Sequence, residues 1–465
     1  MRICIGTVVL AALALAWAAL PGCAVNETKE VAIYRTMLDE SLPASVEAPA
    51  PDQVITLRRA LELANAHNER LGISGEDYLQ ALIEKDRAVS ALLPQISLKP
   101  SFAQFDNFVA PAFAYTFFPL RYADVQADTH WDIRITDLAN VARAEVLAKY
   151  RAAILLDLQA DILVETAETY YQVLRLERQV KVLENSVAVQ DSRVRDMRDK
   201  FNAGTVRPLD VSQTEAQAAA TRASRVEARA KVVQARAVLA LLIGQPAVRN
   251  PLDDRFELPP VPPVEELQEQ AETYRQDILA AEALVAAADK SLMAAWAQYY
   301  PSLSVDFNYW LARESFPMDS NWFFGVNVNL PLFQGGRIHA NVRTAYSLVR
   351  QAHLYRSFTR RQVAEQVTVA YADLKSSGDR LVELRTEVRA ARDAFGLADQ
   401  SFDVGLATNL QRLIAQDQLL QAELQLASEE LNHKTLYLRL TRAIGRLIDE
   451  MPQPPAPEGA ATPAS

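Results

Sequence analysis

The residues able to carry chemistry are few and scattered. None of the five histidines, His67, His130, His339, His353 and His433, pairs with another at metal-ligand spacing. Gly335-Gly336 lacks the Gly-Lys-Ser/Thr ending that a phosphate loop needs. Asp253-Asp254 lies in a proline-rich stretch and reads most simply as a turn. Neither a GxSxG elbow nor a kinase motif set occurs. The expectation is no catalytic residue, no metal and no cofactor.

One reactive side chain stands out at the start. Residues 1–23 read MRICIGTVVLAALALAWAALPGC: a single Arg2, an apolar run from Ile3 to Leu20, then small residues. That is the pattern of a secretory signal peptide, with an uncleaved membrane anchor as the alternative. Leu20-Pro21-Gly22-Cys23 resembles a bacterial lipobox. The resemblance implies that Cys23 becomes the lipidated first residue and that Cys4 leaves with the signal. No thiol or disulfide would remain. Ala24, where Asp commonly marks inner-membrane retention, favours the outer membrane. Each buried CH₂ of an acyl chain contributes about 0.8 kcal/mol, so a multiply acylated cysteine holds firmly.

Half of the 465 residues are apolar, enough for a large core, and glycine is scarce at 14. Ala, Leu, Val, Arg, Gln and Glu dominate the middle, which suits long helices and coiled coils. The formal charge of −10 argues against a nucleic-acid partner.

The elements that would position any site are duplicated. A shift of 201 places Phe201 on Phe402, Gly204 on Gly405, Leu209 on Leu410 and Ile243-Gly244 on Ile444-Gly445. Upstream, Tyr170 meets Tyr371, and no gap is needed from about 139 to 244. A gap-free register of that length marks an internal repeat. Val173, Val180, Val187, Val194 and Phe201 recur every seventh residue, with Leu176, Leu183 and Met197 three residues on and Gln190 as a polar interruption. Leu374, Leu381, Val388, Phe395 and Phe402, with Leu384, Ala391 and Ala398, repeat the seam in the second copy. Alternating spacings of 3 and 4 predict coiled coils.

Asp137 to Lys200 contains neither Pro nor Gly, which allows one helix of about 64 residues, roughly 95 Å long. Its counterpart is Arg337 to Ser401, weakened only by Gly378 and Gly396. Shorter helices are expected at about 208–243 and 409–448, and before the strands at 55–92, interrupted at 72–75, and 264–298. Each copy can then form a rod of one long helix beside two stacked short ones.

Between short and long helix each copy holds a β-like pair. Leu303, Val305, Phe307, Tyr309 and Leu311 alternate with polar residues, as do Trp322, Phe324, Val326, Val328 and Leu330. Such runs fit membrane-spanning barrel strands, with half-buried hairpins on a soluble protein as the alternative. The first copy is weaker: Ile96, Leu98 and Phe102 share one face, and Trp131, Ile133 and Ile135 another, joined by a loop over about 107–128. Four strands cannot close a barrel in lipid, so several chains must contribute: two give eight strands, three give twelve.

The stretches SALLPQISL at 90–98, YRQDILAAEALVAAAD at 274–289, QYYPSLSVDF at 298–307 and NVNLPLFQGGRIHANV at 327–342, with the duplicated turns, resemble the outer membrane efflux protein family. These are the TolC-like channels, and the lipidated multidrug-efflux branch is the nearest in kind. The resemblance covers about 54–449. It implies a mixed membrane α/β fold, mostly α: a trimeric transmembrane β-barrel with four strands per chain, continued by a long periplasmic α-helical barrel. It also implies a division into signal peptide 1–22, lipidated linker 23–53, first repeat 54–244, Pro-rich crossover 245–263, second repeat 264–449 and a disordered tail 450–465. Gln276 stands where the family usually has Pro, and the first copy lacks the LPLFQGG of the second.

In such a protein the two breaks become helix–turn–helix tips that meet a periplasmic membrane-fusion adaptor, itself linked to an inner-membrane pump of the RND type. The implied contacts are Gly204, Thr205, Val206 and Arg207 on one tip and Gly405, Leu406, Ala407 and Thr408 on the other. Candidates for a periplasmic gate are Asp210, Gln411, Ile414 and Asp417. The chain would be a passive conduit in the outer membrane, an exit duct whose selectivity and energy come from the pump. The competing readings are a lipid-anchored coiled-coil adaptor or scaffold, and a type I secretion duct.

Overall fold

The computed structural model describes residues 25–40, 42, 53–104, 121–254, 256, 258–314 and 320–447. The signal segment, Cys23 and the tail from 448 lie outside the described residues.

In chain order the elements are α1 (Glu27–Asp39), α2 (Leu57–His67), α3 (Glu69–Ser90), β1 (Gln95–Gln104), β2 (Arg121–Ile133), α4 (Ile135–Asn202) and α5 (Pro208–Leu242). The second repeat gives α6 (Val264–Tyr274), α7 (Gln276–Ala297), β3 (Ser302–Ala312), β4 (Trp322–Asn329), α8 (Arg337–Asp403) and α9 (Asn409–Ala443). The two long helices run 68 and 67 residues, within a few residues of the sequence expectation. Gly378 does not break α8.

The chain forms two compact units, and neither is a sequence repeat. One takes the residues up to Tyr34, Gly75–Ile154 and Leu279–Phe358; the other takes Arg35–Ser74, Leu155–Ile278 and the chain from Thr359. Each unit draws on both copies.

The first unit holds the sheet. It is four-stranded and antiparallel, in the order β1-β2-β3-β4. The central pairing, β2 with β3, joins the two repeats: Thr129 sits opposite Phe307 and Trp131 opposite Val305. Register carries one face across all four strands. Ile96, Thr129, Phe307 and Phe324 form one rung, and Leu98, Ala127, Tyr309 and Trp322 another. That face is apolar. The opposite face carries His130 bonded to Asp306 at 2.7 Å, Asn327 donating to Asp306 at 3.2 Å, and the Lys99–Asp128 ion pair. Because side chains alternate, the apolar set cannot move to the polar side without a one-residue slip. β2 is longer than expected. It starts at Arg121, inside the segment read as loop, while Ile135 belongs to α4 and not to the strand. Ala123 and Ala127 explain the miss: pairing with β1, and from Val125 onward also with β3, holds in a strand alanines that have little β-propensity of their own.

The second unit holds the helical hairpins. Val173, Leu176, Leu183, Val187 and Met197 are buried along α4, and Leu374, Leu381 and Val388 along α8. The α4 seam has two partners, since Leu183 clusters with Ala228 of α5 and Leu420 of α9. Gln190, the polar interruption, is buried and donates to Thr221 of α5 at 3.1 Å.

Two expected helices are broken where the sequence reading did not place a break. The first breaks at Asn68, and Gly72 and Gly75 lie inside α3. Asn68 leaves the helix with ψ 119°, and its side chain donates to the carbonyl of Leu242 at 3.1 Å. Gly75 has a different task, because a Cβ there would clash with the Tyr34 ring. The stretch 264–298 breaks at Arg275, whose guanidinium donates to Ala443 at 3.3 Å. Ala443 is the repeat mate of Leu242. Both repeats therefore cap the end of their short helix from the same break, one with an amide and the other with a guanidinium.

Candidate functional site: the paired helix turns

Both tips are built the same way from different residues. After α4, Gly204 at φ 76° lets the chain reverse, with Gly204 N–H donating to Phe201 and Thr205 N–H to Lys200, each at 2.9 Å. After α8, Gly405 at φ 79° repeats this, donating to Phe402 at 3.0 Å while Leu406 donates to Ser401 at 2.7 Å. These bonds satisfy carbonyls that a helix end leaves open, and glycine takes the left-handed conformation at no steric cost. The next helices start on caps. The Asp210 carboxylate accepts from the Arg207 N–H at 3.2 Å, and the Thr408 hydroxyl accepts from the Gln411 N–H at 3.3 Å. Gln411 returns the bond, accepting from the Thr408 N–H at 2.9 Å.

The turns expose apolar groups. Leu406 is 84% exposed and Val404 70%, with Leu410 and Leu209 about half exposed. Gly204, Thr205, Arg207, Gly405 and Thr408 are exposed, and Val206 and Ala407 are half-buried. Of the gate candidates, Gln411 and Ile414 are exposed, Asp417 is half-buried and accepts from Gln217 at 3.3 Å, and Asp210 is buried against Arg207.

A cluster behind the turns, not anticipated from sequence, ties the two hairpins together. Asn409 is buried and donates to the Asp210 carbonyl at 3.1 Å and to Thr214 at 3.2 Å. Arg412 donates to Asn409 at 3.0 Å and lies over the Phe402 ring at 4.2 Å. Arg193 pairs with Asp399 at 3.3 Å and donates to Gln416 at 2.7 Å. Lys200 bridges Asp196 at 3.1 Å and Asp403 at 3.2 Å. Burial pulls the Arg193 and Arg412 guanidiniums below their ordinary value, against the pull of Asp399. Burial also draws Lys200 down, but its bonds to the two aspartates outweigh this and raise it. One signal could have found the cluster. Under the 201-residue shift, Asn409, Arg412 and Asp399 fall on Pro208, Val211 and Arg198, so the repeats diverge where they must touch.

Among the described residues no group of three or more His, Cys, Asp or Glu could hold a metal. No described helix is long and apolar enough to cross a membrane.

A duplicated chain with one sheet of a single apolar face, and paired hairpins ending in exposed apolar turns, defines a class of mixed helical and β-sheet membrane proteins. The model of the outer membrane efflux proteins matches residues 86–245 and 267–446, most of the chain, and the chain belongs to that family. The probable efflux pump outer membrane protein TtgC of Pseudomonas putida is 27% identical over 301 residues, 62% of this chain and 61% of that protein. The matched stretch thus spans less than two thirds of that relative. The outer membrane efflux protein BepC of Brucella suis is 25% identical over 313 residues, 66% of this chain and 68% of that one. Among solved structures, the outer-membrane channel OprN superposes with a TM-score of 0.73 at 21% identity, covering 87% of this chain and 95% of that one. The Campylobacter jejuni CmeC outer membrane channel gives 0.74 at 16% identity, covering 87% and 91%. The fold is TolC-like, as the sequence motifs implied.

Proposed function

We propose that this protein is the outer-membrane exit duct of a tripartite efflux system, working as a homotrimer. The observation that carries the reading is the sheet. It has one apolar face and two outer strands, β1 and β4, each paired on one side only among the described residues. In lipid an open strand edge leaves backbone groups without partners, at several kcal/mol each. Three copies would give a closed barrel of twelve strands, with the apolar face to lipid and the His130–Asp306 face to a water-filled lumen. The helical hairpins would continue as a periplasmic tube.

The tips then serve as the docking end for a periplasmic adaptor linked to an inner-membrane RND-type pump, through residues 204–207 and 405–408. Asp210, Gln411, Ile414 and Asp417 border the mouth. Residues 1–22 would be removed as a signal and Cys23 acylated, with 23–53 as linker, 54–244 and 264–449 as repeats, 245–263 as crossover and 450–465 as tail. The protein moves no bonds of its own and is not an enzyme, consistent with relatives that are channels. Purification from detergent-extracted outer membrane tests this. The expected product is a complex of three copies that conducts ions across a planar bilayer. A protein that becomes wholly soluble in the periplasm on Cys23→Ser would overturn the reading.

A further inference from the structure

The polar face of the sheet holds a histidine to which the duct reading gives no task. His130 lies on β2, opposite Gln95 of β1 and Asp306 of β3, where the two repeats pair. Its Nδ1 is 2.7 Å from the Asp306 carboxylate. Its Nε2 is 3.3 Å from Asp132, two residues further along the same face of β2. Both ring nitrogens thus face a carboxylate. A neutral imidazole has one N–H and one lone pair, so it satisfies one of these contacts and sets a lone pair against a carboxylate at the other. Only the imidazolium donates at both. The contact at 2.7 Å has the length of a charge-assisted bond. Histidine is also the side chain whose charge ordinarily changes between about pH 5 and 8.

The neighbours decide what that proton changes. On β2, Asp128 and Asp132 share the face with His130, and Asp128 has its own cation in Lys99 of β1. Arg134, just past β2, lies 3.5 Å from Asp132 but 3.0 Å from Asp137, so it is shared between them. β1 sets the uncharged Gln95 opposite His130. β3 supplies Asp306, and β4 supplies the neutral Asn327, which donates to Asp306 at 3.2 Å. Among the described residues the only ion-pair partner of Asp306 is His130. Both side chains of that pair remain open to solvent, so dissolved ions meet its net charge directly. With the imidazolium in place the pair is balanced; with the neutral ring it leaves one uncompensated carboxylate.

We propose that His130 sets the ion preference of the barrel. Each copy presents Asp132, His130 and Asp306 to the lumen, and each loses one positive charge as the imidazolium gives up its proton. The passage then favours cations more strongly at alkaline than at mildly acid pH. This rests on the homotrimeric duct reading and adds a selectivity-determining residue to it. Rings of charged side chains govern which ions enter a water-filled pore. In dilute salt their field spans a wide lumen, because screening sets in only over about 30 Å at 0.01 M.

The test uses the full-length protein in planar bilayers under a gradient of dilute KCl, with the reversal potential read from pH 5.5 to pH 9. The wild-type ratio of potassium to chloride permeability should rise about twofold or more across that range. His130→Gln should hold the ratio near its alkaline value at every pH. His130→Lys, which keeps a positive charge throughout, should hold it near the acid value. Asp306→Asn removes one of the two carboxylates that favour the imidazolium, so the rise should shift to lower pH; this reports on His130 even if its own variants fail to fold. A conducting wild type whose ratio does not change with pH, or a His130→Gln protein that keeps the wild-type profile, would overturn this inference and leave the duct reading standing. A wild type that forms no conducting oligomer would sink both.

Discussion

The Asn409 side-chain amide donates to the main-chain carbonyl of Asp210 at 3.1 Å, linking two turns 199 residues apart. Each turn is complete in its own hydrogen bonds. This bond and its neighbours hold one turn against the other.

Removing that side chain should loosen the tip without unfolding the chain. Asn409→Ala removes one acceptor from buried Arg412, whose carboxylate contact, Asp399, lies at 3.8 Å, and leaves the Asp210 carbonyl without this donor. Unpaired buried polar groups cost about 1–3 kcal/mol. Amides of 401–412 should exchange about tenfold faster or more by hydrogen exchange, while those of 170–176 stay unchanged.

Glycines of the same φ should differ sharply in what replaces them. Gly405 is surrounded by open space, so Gly405→Ala meets only the left-handed backbone penalty, about 1–2 kcal/mol. At Gly445 a Cβ would also lie 2.8 Å from the Tyr274 carbonyl carbon, so Gly445→Ala must displace the α6–α7 break. Thermal unfolding should show the second variant less stable than the first.

His433 should make the helical unit acid-sensitive. Burial holds its imidazole below the ordinary value near 6.5, and its Nδ1 is buried without a partner among the described residues. The neutral ring is favoured in the folded state, so the stability is fully present above the unfolded value and is lost as pH falls through the lowered one. His433→Gln should therefore lose less stability than wild type between pH 7 and 5, read from paired thermal melts.

The two faces of the sheet should respond oppositely to charge. Val326 lies on the apolar face opposite Val305, and Ser304 lies on the polar face opposite Asn327. Val326→Arg should cost about 2–4 kcal/mol if placed near the bilayer midplane. Ser304→Arg should not. The yield of heat-modifiable oligomer from outer membranes separates them.

Leu406 offers the counter-case of a large effect with no loss of stability. It is exposed and touches no core, so Leu406→Glu should change stability by less than about 0.5 kcal/mol. If the tips dock an adaptor, efflux in susceptibility assays should fall while oligomer yield stays at the wild-type level.

Local pattern was enough for some of this. The absence of Gly and Pro from 137–200 allowed one long helix, because nothing in that stretch interrupts the hydrogen-bond ladder. The 201-residue register placed both turns, since Gly204 and Gly405 are each needed for a left-handed residue. Alternation fixed the apolar face of β3 and β4. The start of β2 was illegible because Ala123 and Ala127 have weak strand preference and are held by their partners, Ala123 by β1 and Ala127 by both β1 and β3.

What the sequence determined by itself is periodic: helix lengths, heptad seams, strand faces and the duplication. These follow from repeats of 3.5, 3.6 and 2 residues along one chain. What only the tertiary structure decided is who meets whom. The breaks at Asn68 and Arg275 exist because the carbonyls of Leu242 and Ala443 come within their reach. Arg193, Asp399, Asn409 and Arg412 become a cluster because α4, α8 and α9 converge. Such pairings join residues up to about 200 positions apart, and no local period records them.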